Sequence, residues 1–173
     1  MEHIKNELQI ISSSAIKRRL QREFEKLVLN ELLSPESVSV KLEETKRSFT
    51  PNYIVIFYSS VHNKYFEFII SSDYPFKPPK LNLNFKPYSY LYYLNSKSPE
   101  FKDKLMKYKN IRCFCCISKL CNDNWSPGYT MQHVMDEVDT FKNICLDIVK
   151  VVMVNVIKRK YLIEDIDIIK WLF

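Results

Sequence analysis

Apolar residues recur along this chain with two periods, and the change from one to the other marks out its elements. After Ser12-Ser13-Ser14, which offers a helix cap, Ile16, Leu20, Phe24, Leu27 and Val28 fall at the spacing of one helical face. Lys17, Arg18, Arg19, Arg22 and Lys26 lie largely on the other face, and Ser34-Pro35 ends the helix. The period then drops to two. Val38, Val40 and Leu42 alternate with Ser39 and Lys41 as a half-buried strand should. Tyr53 to Tyr58 and Tyr65 to Ile70 are β-branched and aromatic, joined by a mostly polar link that suits a hairpin. Asp73-Tyr-Pro-Phe-Lys-Pro-Pro79 interrupts the pattern, because a cluster of prolines cannot lie inside a sheet. Leu81, Leu83 and Phe85 resume the alternation as a fourth strand.

From Pro87 to Arg112 the pattern dissolves into a crowd of tyrosines and a charged stretch, Lys97 to Lys109, able to form a short helix. Irregular segments of this length inside a domain tend to be functional or mobile. Thr130 then suits the N-cap of a helix beginning at Met131, which Val134, Val138, Phe141 and Cys145 continue toward Lys158. An amphipathic piece, Ile163 to Phe173, follows. The expected fold is α+β: an N-terminal helix, a four-stranded antiparallel meander and C-terminal helices. Residues 1–12 read as a tail, 13–160 as the core with an insertion at about 87–112, and 161–173 as a C-terminal helix.

Length and composition narrow this picture further. A chain of 173 residues makes one domain, large enough to bury its core without disulfides or metal. Its single glycine leaves few tight hairpins of the Asn-Gly kind. The N-terminus carries acids where a secretory signal needs an apolar run, and Ile144 to Ile157 falls short of the ~20 apolar residues of a membrane span. The expected setting is therefore cytoplasmic or nuclear, with no membrane association and with thiols reduced. The net charge of +6 favours acidic partners. The basic residues are dispersed and no recognition motif occurs, so nucleic acid is not an expected partner.

Chemistry concentrates between Cys113 and Thr130, where four of the five cysteines precede a tryptophan and a Ser-Pro-Gly turn. In a reducing compartment such thiols act as nucleophiles, metal ligands or packing. If the segment is extended, Cys113 and Cys115 share one face and Cys116 takes the other.

Helix, four-strand meander, Tyr74-Pro-Phe-Lys-Pro-Pro79, a cysteine, Trp125-Ser126-Pro127 and helix, in that order, resemble the ubiquitin-conjugating enzymes over roughly Ser13 to Leu146. Tyr74 to Pro79 resembles the family's proline-rich loop, and Trp125-Ser126-Pro127 with Thr130 its post-active-site loop and helix entrance. The resemblance implies a cysteine nucleophile eight or nine residues before the tryptophan. Cys116, nine before Trp125 and followed by Ile117, matches it. It further implies acceptance of ubiquitin or a ubiquitin-like modifier as a thioester from an activating enzyme, and transfer to a lysine of a protein substrate, with or without a ubiquitin ligase. No cofactor is implied. A free thiol, partly thiolate at neutral pH, suits that role without a triad.

By the same resemblance, Lys17, Arg18 and Arg22 become candidates for docking the activating enzyme, and Phe76, Pro127 and Gly128 for receiving a ligase. The family's His-Pro-Asn tripeptide is missing. Eight residues before Cys116 stands Tyr108, and the nearest asparagine, Asn110, is the candidate oxyanion donor. Two rival readings follow: a catalytically inactive relative that binds ubiquitin or a conjugating enzyme, and a zinc site built from Cys113, Cys115, Cys116 and Cys121, or three of these with His133.

Overall fold

The computed structural model describes residues 1–43, 52–88, 99–111 and 117–161. Helices α1 (Glu2–Glu7), α2 (Ser14–Leu29), α3 (Pro99–Lys109) and α4 (Met131–Tyr161) accompany strands β1 (Ser39–Glu43), β2 (Asn52–Ser59), β3 (Lys64–Ile70), β4 (Lys80–Leu83) and β5 (Lys86–Tyr88). The strands form one antiparallel meander in chain order. The α+β class and the order of helix, sheet and helices therefore follow the expectation.

The sheet has five strands, where four were expected. The extra strand is Lys86–Tyr88, whose Pro87 had marked the end of regular structure. It forms the edge of the sheet, where a proline leaves no central ladder bond unmade.

Alternation along β2 sends Tyr53, Val55 and Phe57 inward, and the register places Val55 opposite Phe68 and Phe57 opposite Phe66. Phe57 stacks at 5.9 Å on both Phe66 and Phe68 and meets Phe24 of α2 edge-on at 6.1 Å. Each such ring contributes about 1.5–3 kcal/mol through burial. Leu42, expected inward on β1, is instead 41% exposed, since it lies near the end of the other edge strand.

α2 begins where Ser13 Oγ accepts the Ile16 N–H, and Ile16, Leu20, Phe24 and Leu27 are buried on the sheet. Residues 1–12, expected as a tail, are instead helical through Ile10 and bury Ile4, Leu8 and Ile11 in the same core. His3 Nε2 lies 2.9 Å from the Val38 carbonyl, and Glu7 accepts the Val40 N–H, so this segment closes the β1 end of the sheet.

At 31 residues α4 is long enough to serve two cores. Met131, Val134, Met135 and Val138 complete the sheet core. Phe141, Cys145 and Ile148 form a second cluster with Phe101 and Leu105 of α3. The insertion thus supplies both β5 and a helix that packs on the distal part of α4. The expected C-terminal helix lies, beyond Tyr161, outside the described residues. Among the described residues no helix is long and apolar enough to cross a membrane.

Candidate functional site

The proline-rich loop and the tryptophan turn, separated in the sequence, meet in the fold. Trp125 Nε1 donates to the Pro75 carbonyl at 2.7 Å, and its ring lies 6.2 Å from that of Tyr74. The Tyr74–Pro75 peptide is cis. Phe76, the next residue, points outward at 77% exposure, while Pro127 and Gly128 are exposed on the partner loop.

Beneath this junction lies a buried carboxylate that the sequence reading passed over. Glu23 is 3% exposed, on the apolar side of α2. Its Oε1 accepts the Tyr74 hydroxyl and the Arg19 Nε, both at 2.5 Å, and its Oε2 accepts the Met131 N–H at 2.8 Å. Arg19 also donates to the Tyr129 carbonyl at 2.7 Å. A buried charge is tolerable only when paired and bonded in this way. The carboxylate also sits at the positive end of the α4 dipole. Burial and the neighbouring Glu23 charge push the Tyr74 hydroxyl well above its usual range, so it stays a donor.

At the entrance of α4 the His133 side chain reaches back to Thr130. His133 Nδ1 accepts the Thr130 N–H at 3.2 Å and lies 2.8 Å from Thr130 Oγ1. Tyr129 bridges the area, with Trp125 at 5.8 Å, His133 at 5.7 Å and the Lys119 ammonium 5.8 Å from its ring.

A second buried acid, Glu137, holds the stretch that follows the cysteine cluster. Its Oε1 accepts the Ser118 hydroxyl and its Oε2 the Lys119 N–H, both at 2.6 Å. Burial raises its carboxyl above the usual range, against the opposing pull of these bonds and of Lys119. The sequence held a signal for both acids. Glu23 stands seven residues after Ile16, and Glu137 three after Val134, so each falls on a buried helical face.

A third constellation lies across the β2–β3 hairpin. Asp139 accepts from Lys64 Nζ and pairs with His62 Nδ1, each at 2.5 Å. Burial opposes the charged form of Asp139, but Lys64 and His62 together hold its carboxyl below the usual range. His62 Nε2 is buried without a hydrogen-bond partner.

The remaining candidates are placed as follows. Cys116, with Cys113 and Cys115, lies outside the described residues. Cys121 is partly buried. Arg18 and Arg22 are exposed on α2, and Lys17 is half-buried, donating to Gln9 Oε1 at 2.7 Å. Asn110 is exposed and terminates α3 in the left-handed conformation at φ 53°, its N–H bonded to the Met106 carbonyl at 2.9 Å. Asparagine is one of the few residues that adopts this geometry readily, so the helix stop alone accounts for it. Among the described residues no group of three or more His, Cys, Asp or Glu side chains is placed to hold a metal ion. No family model matches this chain, and no curated protein or solved structure does so either.

Proposed function

We propose that this protein is a divergent ubiquitin-conjugating enzyme. Cys116 accepts ubiquitin or a ubiquitin-like modifier as a thioester from an activating enzyme and passes it to a lysine or a ligase. The observation that carries this reading is the bond from Trp125 Nε1 to the Pro75 carbonyl. It joins the two motifs on which the resemblance rests, in a domain with the expected order of helix, meander and helices. The exposed Phe76, Pro127 and Gly128 flank that junction in sequence and suit a ligase, and the basic residues Lys17, Arg18 and Arg22 of α2 suit an activating enzyme.

In the first step the Cys116 thiolate attacks the activated C-terminal carbonyl of the modifier, displacing the activating enzyme's thiolate. In the second, a neutral lysine amine attacks the new thioester, and Cys116 leaves as thiolate. The charging assay tests this. Protein mixed with activating enzyme, ATP and ubiquitin should give an adduct that a thiol reductant removes. Cys116→Ser should give a reductant-resistant oxyester or no adduct; wild-type charging by that variant assigns the chemistry to another thiol.

A second reading, a catalytically inactive binding module, is favoured by one observation. The candidate oxyanion donor, Asn110, already has a structural reason for its identity as the stop of α3. Stoichiometric ubiquitin binding without any reductant-sensitive adduct would select it.

A further inference from the structure

The β4–β5 connection is a two-residue turn, Asn84-Phe85, between the paired Leu83 and Lys86. Both turn residues have positive φ, 47° and 62°. Asparagine enters that region readily, but the second place of such a turn is ordinarily a glycine's, because a Cβ there crowds the backbone. Phenylalanine holds it here with its side chain 60% exposed, so neither burial nor backbone preference accounts for the residue. Strain of this kind collects at ligand-binding positions.

The Phe85 ring is one of three in a row. It lies 5.3 Å from the ring of Tyr65, itself 44% exposed, and Tyr65 lies 5.0 Å from Tyr58. Tyr58 and Tyr65 oppose each other on the outer side of the sheet, since their neighbours Phe57 and Phe66 point into the core. Amides flank both ends of the row. Asn63 Oδ1 accepts the Tyr58 hydroxyl at 2.6 Å and Asn84 Oδ1 the Tyr65 N–H at 2.9 Å, which leaves both side-chain NH₂ groups as donors. The next rib of the same face is Ile56, Glu67 and Asn82. Glu67 is half-buried, and among the described residues its carboxylate has no hydrogen-bond or ion-pair partner. Lys41 and Lys80, on the same face, stand one rib further on.

Three rings, two amide donors and an unpaired carboxylate call for a ligand with apolar faces in a line, carbonyl acceptors and a cation. A polyproline II peptide supplies the first two, because proline has no N–H and the carbonyls of that helix are left unbonded. The row is roughly as long as one turn of it, three residues at about 3.1 Å each. A single nucleic-acid strand would also stack on the rings, but it would bring phosphates to Glu67. We propose that this end of the outer sheet face binds a proline-rich peptide carrying an arginine or lysine beside its prolines. Tyr58, Tyr65 and Phe85 seat the prolines, Asn63 and Asn84 donate to the peptide carbonyls, and Glu67 pairs with the cation. The site requires nothing of the thioester chemistry.

The test uses two synthetic peptides with a pair of Pro-x-x-Pro units, one flanked by arginines and the other by alanines. Each is titrated into the full-length protein and followed by fluorescence anisotropy. The wild type should bind the arginine peptide several-fold more tightly. Glu67→Gln should erase that difference and leave the alanine peptide's affinity unchanged. Phe85→Gly should weaken both peptides about tenfold, the scale of a truncated interface anchor. It should nonetheless melt no lower than the wild type, because glycine relieves the turn. A wild type that binds neither peptide at millimolar concentration overturns the proposal, as do equal wild-type affinities for the two or undiminished binding by Phe85→Gly. Tighter binding of oligothymidylate, lost in Phe85→Gly, would assign the face to single-stranded nucleic acid and overturn it as well. If Phe85→Gly melts lower, Phe85→Asn, which tolerates the left-handed region, and Tyr65→Ser decide by the same criteria.

Discussion

Tyr74 donates its phenolic hydrogen to Oε1 of Glu23 at 2.5 Å across 51 residues of sequence, joining the proline-rich loop to the buried side of α2. Glu23→Ala would leave that hydroxyl, the Arg19 Nε–H and the Met131 N–H without their acceptor. The expected cost is about 3–5 kcal/mol, as for other buried pairs broken on one side. Tyr74→Phe removes one donor and should cost about 1.5–3 kcal/mol. Urea unfolding measures both, and a loss below about 1 kcal/mol for Glu23→Ala would deny the carboxylate its organising role.

Trp125→Phe keeps the ring in the aromatic cluster and deletes only the N–H that reaches Pro75. It should cost about 1 kcal/mol. Phe76→Ala, at a side chain in solvent, should leave stability within about 0.5 kcal/mol. If Phe76 receives a ligase, the same change should lower ligase-dependent transfer while charging from the activating enzyme is unchanged. Equal transfer rates would remove Phe76 from the docking surface.

Two acids two residues apart on α4, Glu137 and Asp139, should make stability depend on pH with opposite signs. The Asp139 carboxyl is held down in the fold, so its contribution is present above its unfolded value of about 3.9 and is lost as pH falls through the folded value. The Glu137 carboxyl is pushed up, so the fold is favoured by its protonated form and loses stability as pH rises from about 4.3 through the raised value. Relative to the wild type, Asp139→Asn should flatten the acid limb of a stability profile, and Glu137→Gln should flatten the limb above it. Parallel profiles for either variant would contradict the assignment.

Phe141→Ala or Leu105→Ala should open the contact between α3 and the distal part of α4, at about 2–5 kcal/mol of local stability. Hydrogen exchange should then accelerate in Pro99–Lys109 while amides of β2 and β3 keep their protection, because among the described residues α4 is the element that contributes to both cores. Equal acceleration in the sheet would show that the cores unfold as one.

Elements with a strong period were legible before any coordinates. The face of α2, the alternation of β2 and β3 and the capped start of α4 all stand where Ser13, Tyr53 to Ile70 and Thr130 placed them. What escaped was weak or polar. Ile4, Leu8 and Ile11 carry helical spacing, but the acids and amides between them resemble a solvated tail. β5 has three residues and a proline, too little for a pattern to show. At the site, the tryptophan turn and the proline-rich loop could be named from sequence, yet their contact is tertiary. Glu23 and Glu137 were missed because an acid on an apolar face looks like an interruption until its donors, brought from distant segments, are in place, and the partly exposed Asp139 because its partners His62 and Lys64 lie more than 70 residues away.

Backbone turns with φ near +50 to +60° fall at Glu31, Asn63, Asn84, Phe85 and Asn110, none of them glycine. At Glu31 the turn closes α2, with Leu32 N–H on the Leu27 carbonyl and Glu31 N–H on that of Val28, a geometry glycine enters without a Cβ penalty. Glu31→Gly should therefore raise the melting midpoint, by an amount equivalent to about 1 kcal/mol. A chain this poor in glycine keeps a reserve of easily won thermal robustness at bends such as Glu31, available to an engineer without altering any surface proposed to meet a partner.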